Sequence, residues 1–155
     1  MDSSAVSLEN LNSVLAFDYG TQRIGVAAGN RQIGTAQGID IVHVRNGTPD
    51  LEKIKGLVDT WKPDCFVVGV PFTDSDSNGN LSGEIRVFVR MLERVYALPV
   101  FETNERLSTE ESSNRINALS RRVSNRKKTE LRNMIAAEII LETFLAGAGE
   151  LRHSP

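Results

Sequence analysis

The segment that most constrains this chain is Cys65-Phe66-Val67-Val68-Gly69-Val70, a run with no charged side chain at all. A strand of that composition is buried on both faces, as inner strands of parallel sheets are, and it needs helices above and below it. The flanking sequence supplies them. Thr48-Pro49-Asp50 predicts a helix start, with Thr48 as N-cap and Pro49 at the first helical position. Leu51, Ile54, Leu57, Val58 and Trp61 form its apolar face, and Lys62-Pro63-Asp64 ends it. After a polar loop over 73–80, a second helix is predicted from about Ser82, burying Ile85, Phe88, Val89, Leu92 and Tyr96. The capping box Ser108-Thr109-Glu110-Glu111 opens another helix, and a last one is predicted from about Lys128 to Leu145.

Upstream of the apolar run the pattern is extended. Val14 to Phe17 reads as a strand ending in Asp18, Tyr19-Gly20-Thr21-Gln22 as a turn, and Arg23 to Ala28 as the returning strand. Gly38 to Val44 alternates in its second half like a half-buried strand, and Pro99-Val100-Phe101-Glu102 is a short strand leading to Asn104 and Glu105. The order predicts an α/β fold: a mixed five-stranded sheet, an antiparallel three-strand meander plus parallel strands, flanked by helices. One domain is expected over 13–147, with polar tails at 1–12 and 148–155.

Composition narrows the setting. With 155 residues and 40% hydrophobic content the chain can bury a core without disulfide or metal staples. Its single cysteine cannot form an internal disulfide, so a reducing compartment is expected. Met1 to Asn12 lacks a basic and then apolar leader, and nowhere do about 18 apolar residues run together, so neither export nor membrane insertion is predicted and a cytoplasmic location is expected. The net charge of −2 conceals an uneven distribution. Between Ser112 and Thr129 there is no acid, while Arg115, Arg121, Arg122, Arg126, Lys127 and Lys128 are all basic. Arg121 to Lys128 is a candidate contact for a nucleic-acid backbone, although such runs are often simply solvated, and no aromatic residue interrupts it for base stacking.

The candidate chemistry lies with two acids at strand ends. Asp18, freed by Gly20 in the following turn, could hold a hard cation or merely cap the turn. Glu105, at a strand-to-helix turn, could converge on the same sheet edge or pair with Arg106. Arg23 and Arg106 follow the two acids and could bind phosphate in bidentate fashion or serve structural pairs. The loop Thr73 to Asn80 has an Asp-rich beginning without full calcium-loop spacing, and His43 and His153 have no partners at zinc-ligand spacing.

Four blocks in succession make the chain similar to one family. Phe17-Asp18-Tyr19-Gly20 with Arg23-Ile24-Gly25-Val26-Ala27, then Val68-Gly69-Val70-Pro71, then Asn104-Glu105-Arg106-Leu107-Ser108-Thr109, then Ala136-Ala137 with Ile139-Ile140-Leu141-Glu142, resemble the YqgF (RuvX) family. Its members are described as pre-16S ribosomal RNA nucleases and as Holliday-junction-resolvase-like. The blocks cover about residues 14 to 145. The resemblance implies a ribonuclease H-like fold and metal-dependent phosphodiester hydrolysis with Mg2+ or Mn2+. It implies Asp18 and Glu105 as the first two metal ligands, and pre-ribosomal RNA as a partner ahead of branched DNA. The third family acid falls at Asn133, and the usual aspartate before Glu105 is Asn104. An amide oxygen can coordinate a cation but brings no negative charge. On a helix, Asn133 shares a face with Ala137, Ile140 and Phe144, while Glu130 lies about 60° around it.

Two other classes compete. Asp18-Tyr19-Gly20-Thr21 also resembles the first phosphate loop of actin-like ATPases, which need a second loop and domain that 155 residues do not supply. A family member that binds nucleic acid without cutting it is the second, and Asn133 is its argument.

Overall fold

The computed structural model describes residues 11–70, 79–104, 114, 117–118, 125–148 and 150–151. The elements run β1 (Ser13–Asp18), β2 (Arg23–Asn30), β3 (Thr35–Arg45), β4 (Thr48–Pro49), α1 (Leu51–Trp61), β5 (Cys65–Val70), α2 (Gly79–Tyr96), β6 (Val100–Asn104), α3 (Asn125–Thr143), a π-helical turn (Phe144–Ala148) and β7 (Glu150–Leu151). The sheet order is β4-β3-β2-β1-β5-β6-β7. β1, β2 and β3 are antiparallel, and β5 and β6 join β1 in parallel, which is the predicted mixed sheet. Beyond the five predicted strands, the two-residue β4 and β7 extend its two edges.

β4 corrects the predicted start of the first helix. Asn46 and Gly47 both have positive φ, 52° and 77°, as a tight hairpin between β3 and β4 requires. The turn carries Thr48 and Pro49 back along β3, opposite Arg45 and Val44, so neither belongs to the helix. Asp50 is the N-cap, its carboxylate accepting from the Lys53 N–H at 3.2 Å. Ile54 and Leu57 are buried as predicted, but Leu51 and Trp61 at the ends of the helix are 49% and 41% exposed. The remaining boundaries move less: α2 begins at Gly79 rather than Ser82, and α3 begins at Asn125 and gives way to the π turn at Phe144. The capping box at 108–111 lies outside the described residues.

The two faces of the sheet carry side chains of different size, and this decides where the helices sit. Leu15, Phe17, Ile24, Val26, Phe66 and Val68 point to one face, where they pack against Ile54, Phe88, Val89 and Leu92 of α1 and α2. Phe17 and Phe88 meet edge to face with centroids 5.3 Å apart. The opposite face is made of Val14, Ala16, Ala27, Cys65 and Val67, small enough for α3 to lie close through Ala137, Ile140, Leu141 and Phe144. Two glycines bring the sheet against the backbone of α3 itself. A Cβ on Gly25 would collide with the Asn133 carbonyl, and one on Gly38 would stand 2.9 Å from the Met134 carbonyl oxygen. Between Val26 and Ala27 the β2–β3 register slips by one residue. The Gly38 N–H beside that bulge donates to Glu138 Oε1 of α3 at 2.9 Å.

The amino end of β1 is fastened separately. Asp64 Oδ2 accepts from the backbone N–H groups of Asn12 and Ser13 at 3.0 and 2.9 Å, and its own N–H donates to the Ser13 carbonyl. Among the described residues no helix is long and apolar enough to cross a membrane.

Candidate functional site

Strand pairing places Asp18 in a defined cross-strand row. Asp18 is opposite Gly25 of β2 on one side and Gly69 of β5 on the other, and Gly69 is opposite Thr103 of β6. Directly opposed residues point to the same face of a sheet. The row Gly25-Asp18-Gly69-Thr103 therefore shares the α3 face with the row before it, Ala27-Ala16-Val67-Phe101. Asp18, half-buried, has a glycine on either side, so no neighbouring side chain within the row crowds its carboxylate.

Helix α3 closes this corner from above. Because Gly25 has no side chain, the Asn133 backbone rests against it, beside the strand that carries Asp18. Asn133 is half-buried, and Ala137, Ile140 and Phe144 on its helical face belong to the core beneath α3. Glu130 is turned elsewhere. With Asp40, His43, Asp50, Lys53 and Met134 it lines a cleft of about 410 Å³ on β3, two strands away from β1.

Thr103 is a residue that sequence patterning passed over. It is 2% exposed, and its Oγ1 has no hydrogen-bond partner among the described residues. A buried hydroxyl left unsatisfied is costly, so it needs an explanation. Its register opposite Gly69, on the face of Asp18, gives one: the two oxygen-bearing side chains flank the position where Gly69 has none. The signal in the sequence was a hydroxyl residue on the same strand face as Phe101, two residues before Glu105.

Of the other predicted site residues, Arg23 is half-buried at the start of β2 opposite His43, on the same face as Gly25 by strand alternation. Lys127 is exposed and Lys128 half-buried in the first turn of α3, where the backbone of Arg126 also lies. Glu105, Arg106, Arg121 and Arg122 fall outside the described residues. Among the described residues no three His, Cys, Asp or Glu side chains are grouped to hold a metal ion. The oxygen donors that the row does offer, a carboxylate and an unsatisfied hydroxyl, are of the kind that magnesium and manganese take.

Behind the row, Tyr19 turns to the opposite face and its hydroxyl donates to Glu84 Oε1 of α2 at 3.3 Å. Burial first, then the charge and hydrogen bond of Glu84, push its phenol up to about 12. It stays a donor at neutral pH and ties the early part of α2 to the Asp18 edge.

A family model described as "RuvX: Holliday junction resolvase" matches residues 12–147. A protein of Pseudomonas aeruginosa strain PAO1 named "Putative pre-16S rRNA nuclease" is 35% identical over 136 residues, covering 88% of this chain and 93% of that protein. One of the same name from Chromohalobacter salexigens is 37% identical over 142 residues, covering 92% and 95%. Among solved structures, Thermus thermophilus RuvC in complex with a Holliday junction substrate superposes with a TM-score of 0.57 at 12% identity, over 91% of this chain and 99% of that one. The Fowlpox virus resolvase bound to Holliday junction DNA gives 0.50 at 16% identity, over 86% and 97%. The fold is thus the ribonuclease H-like one that the sequence resemblance implied.

Proposed function

From the premise that this chain belongs to the RuvX family, we propose that it is a metal-dependent nuclease that cuts structured nucleic acid, with the precursor of 16S ribosomal RNA as its substrate and the cytoplasm as its place of work. The observation that carries this reading is the row Gly25-Asp18-Gly69-Thr103, which sets one carboxylate between glycines, with a buried threonine hydroxyl on the same face, under a helix pressed close to the sheet. Asp18 and Glu105 are the charged ligands in this reading, Asn133 lends a neutral oxygen, and Thr103 completes the oxygen set. A bound divalent ion would supply activation of water and stabilisation of the leaving oxygen. Arg23, Arg106 and the basic residues Arg121, Arg122, Arg126, Lys127 and Lys128 would hold phosphates of the substrate. The names of the 35–37% identical relatives favour ribosomal RNA, while the junction-bound fold neighbours favour branched DNA.

A second reading follows from the family resemblance: it puts acids at the positions of Asn104 and Asn133, so the proposed site would carry two negative charges fewer. Such a protein would bind structured RNA without cutting it.

The experiment separating them is cleavage of a pre-16S leader transcript and of a four-way DNA junction, each with magnesium, manganese or chelator. Metal-dependent cleavage is expected, abolished by Asp18→Asn and by Glu105→Gln with unchanged circular dichroism. Asn133→Asp should raise the rate, and a tenfold gain would equal about 1.4 kcal/mol of transition-state stabilisation. Binding in every condition with cleavage in none would replace the nuclease with the binding module.

A further inference from the structure

Helix α2 carries a second basic surface, away from the Asp18 row. Its inner face is fully used, with Ile85, Phe88, Val89 and Leu92 buried. On its outer face Arg86, Arg90 and Arg94 are all exposed. Four-residue spacing puts them within about 80° of arc and about 6 Å apart along the axis, so they form one line. None of the three has an ion pair among the described residues, although Lys53 and Lys55 on α1 are paired with Asp40 and Asp59 at 3.0 Å. Glu93, three residues after Arg90, is the one acid of α2 within helical reach of the line.

Two i,i+4 pairs of like charge weaken a helix, by roughly 0.2–0.5 kcal/mol each, and no contact among the described residues offsets them here. Gly83 extends the same face towards the start of the helix. A Cβ there would meet nothing within 4 Å, so packing does not demand the glycine either. The line also has a direction. β5 ends beside Asp18, α2 follows and returns antiparallel to it, and Glu84 is held to Tyr19. Arg86 is therefore nearest the Asp18 edge, and Arg90 and Arg94 lead away from it across the face of the molecule opposite α3.

We propose that the Arg86-Arg90-Arg94 line binds the phosphate backbone of a second arm of a branched nucleic acid whose first arm lies at the Asp18 edge. Charge complementarity selects the occupant: three exposed guanidinium groups in a row, without an ion pair among the described residues and on a protein with a net charge of −2, match a regularly spaced polyanion. The proposal rests on the nucleic-acid reading of the Asp18 site and adds to it a second, separate phosphate-binding surface on α2. Val87 and Val95, 68% and 60% exposed, flank the line, and a second copy of the chain is the competing occupant.

The test is binding in chelator, where no cleavage occurs, of wild type and the Arg86→Gln, Arg90→Gln, Arg94→Gln triple variant to a three-way RNA junction and to a single hairpin of equal arm length. Each duplex phosphate neutralised contributes about 0.9 to the slope of log affinity against log salt, so the variant should flatten the junction slope by roughly two to three units. The hairpin slope should not change, and the triple Arg→Lys variant should keep the wild-type junction slope. An unchanged junction slope overturns the proposal, as does equal flattening on the hairpin. Wild-type dimers that the Gln variant dissociates in sedimentation would also overturn it and assign the face to self-association. Wild type that binds the junction but never cleaves with metal would end the nuclease reading alone. Wild type that binds neither RNA would end both.

Discussion

Thr103 and Val have nearly the same shape, so exchanging them isolates the hydroxyl. In the protein without metal, Thr103→Val removes a buried polar group that no described residue satisfies, and stability should rise by about 1 kcal/mol. With manganese the sign should reverse: if the hydroxyl belongs to the oxygen set, the metal-dependent rise in melting temperature shrinks in Thr103→Val and returns in Thr103→Ser. Calorimetric melting with and without manganese measures both. A variant more stable in chelator with an undiminished manganese shift would remove Thr103 from the site. At the same scale, the places of Asp18 at the end of β1 and of Asn133 at the head of the buried stripe of α3 were legible in the sequence, because strand and helix patterning run along the chain. Thr103 was not, since a threonine in a strand is ordinary until its neighbours are known.

Helix α3 is positioned by what the sheet lacks. Gly25→Ala would press a methyl group into the Asn133 carbonyl, so the helix must shift or the strand bend, and overpacking of this kind costs about 1–3 kcal/mol. Gly83→Ala is the control of opposite sign. Its Cβ would meet nothing within 4 Å, and replacing a helical glycine should stabilise by about 0.5–1 kcal/mol. Urea melts of the two variants should move in opposite directions, and a neutral Gly25→Ala would mean that α3 does not rest on β2. The first helix teaches a related lesson. Thr48-Pro49 is a sound helix start locally, but Asn46-Gly47 just before it is a stronger turn signal, and the hairpin it makes turns both residues into an edge strand.

Across the molecule, two buried groups link stability to alkaline pH. Burial pushes the Cys65 thiol from 9.0 up to about 12, and burial with Glu84 pushes the Tyr19 phenol from 10.0 up to about 12. Both ionise sooner in the unfolded chain than in the folded one. Stability is therefore undiminished by them below about pH 9 and falls as pH rises from there towards 12. Half-buried Tyr96 is raised as well, by burial and then the charge of Asp59, so Tyr19→Phe should shrink the part of the fall that begins near pH 10 without abolishing it, and leave the part that begins near pH 9. Urea midpoints measured from pH 8 to 11 test this, and parallel curves for wild type and variant would show that the Tyr19 phenol ionises freely.

At this largest scale the division between sequence and structure has a physical cause. Periodicity and composition act along the chain, and they determined the α/β class, the antiparallel meander, the doubly covered strand β5 and the position of Asp18 at the end of β1. Which residues share a row depends on register, and register is set between strands that lie far apart in sequence. Asp18 meets Gly69 and, through it, Thr103 only after β5 and β6 have docked in parallel. The closeness of α3 depends likewise on small residues from β1, β2 and β5 falling on one face, a sum over several strands that no single segment reveals.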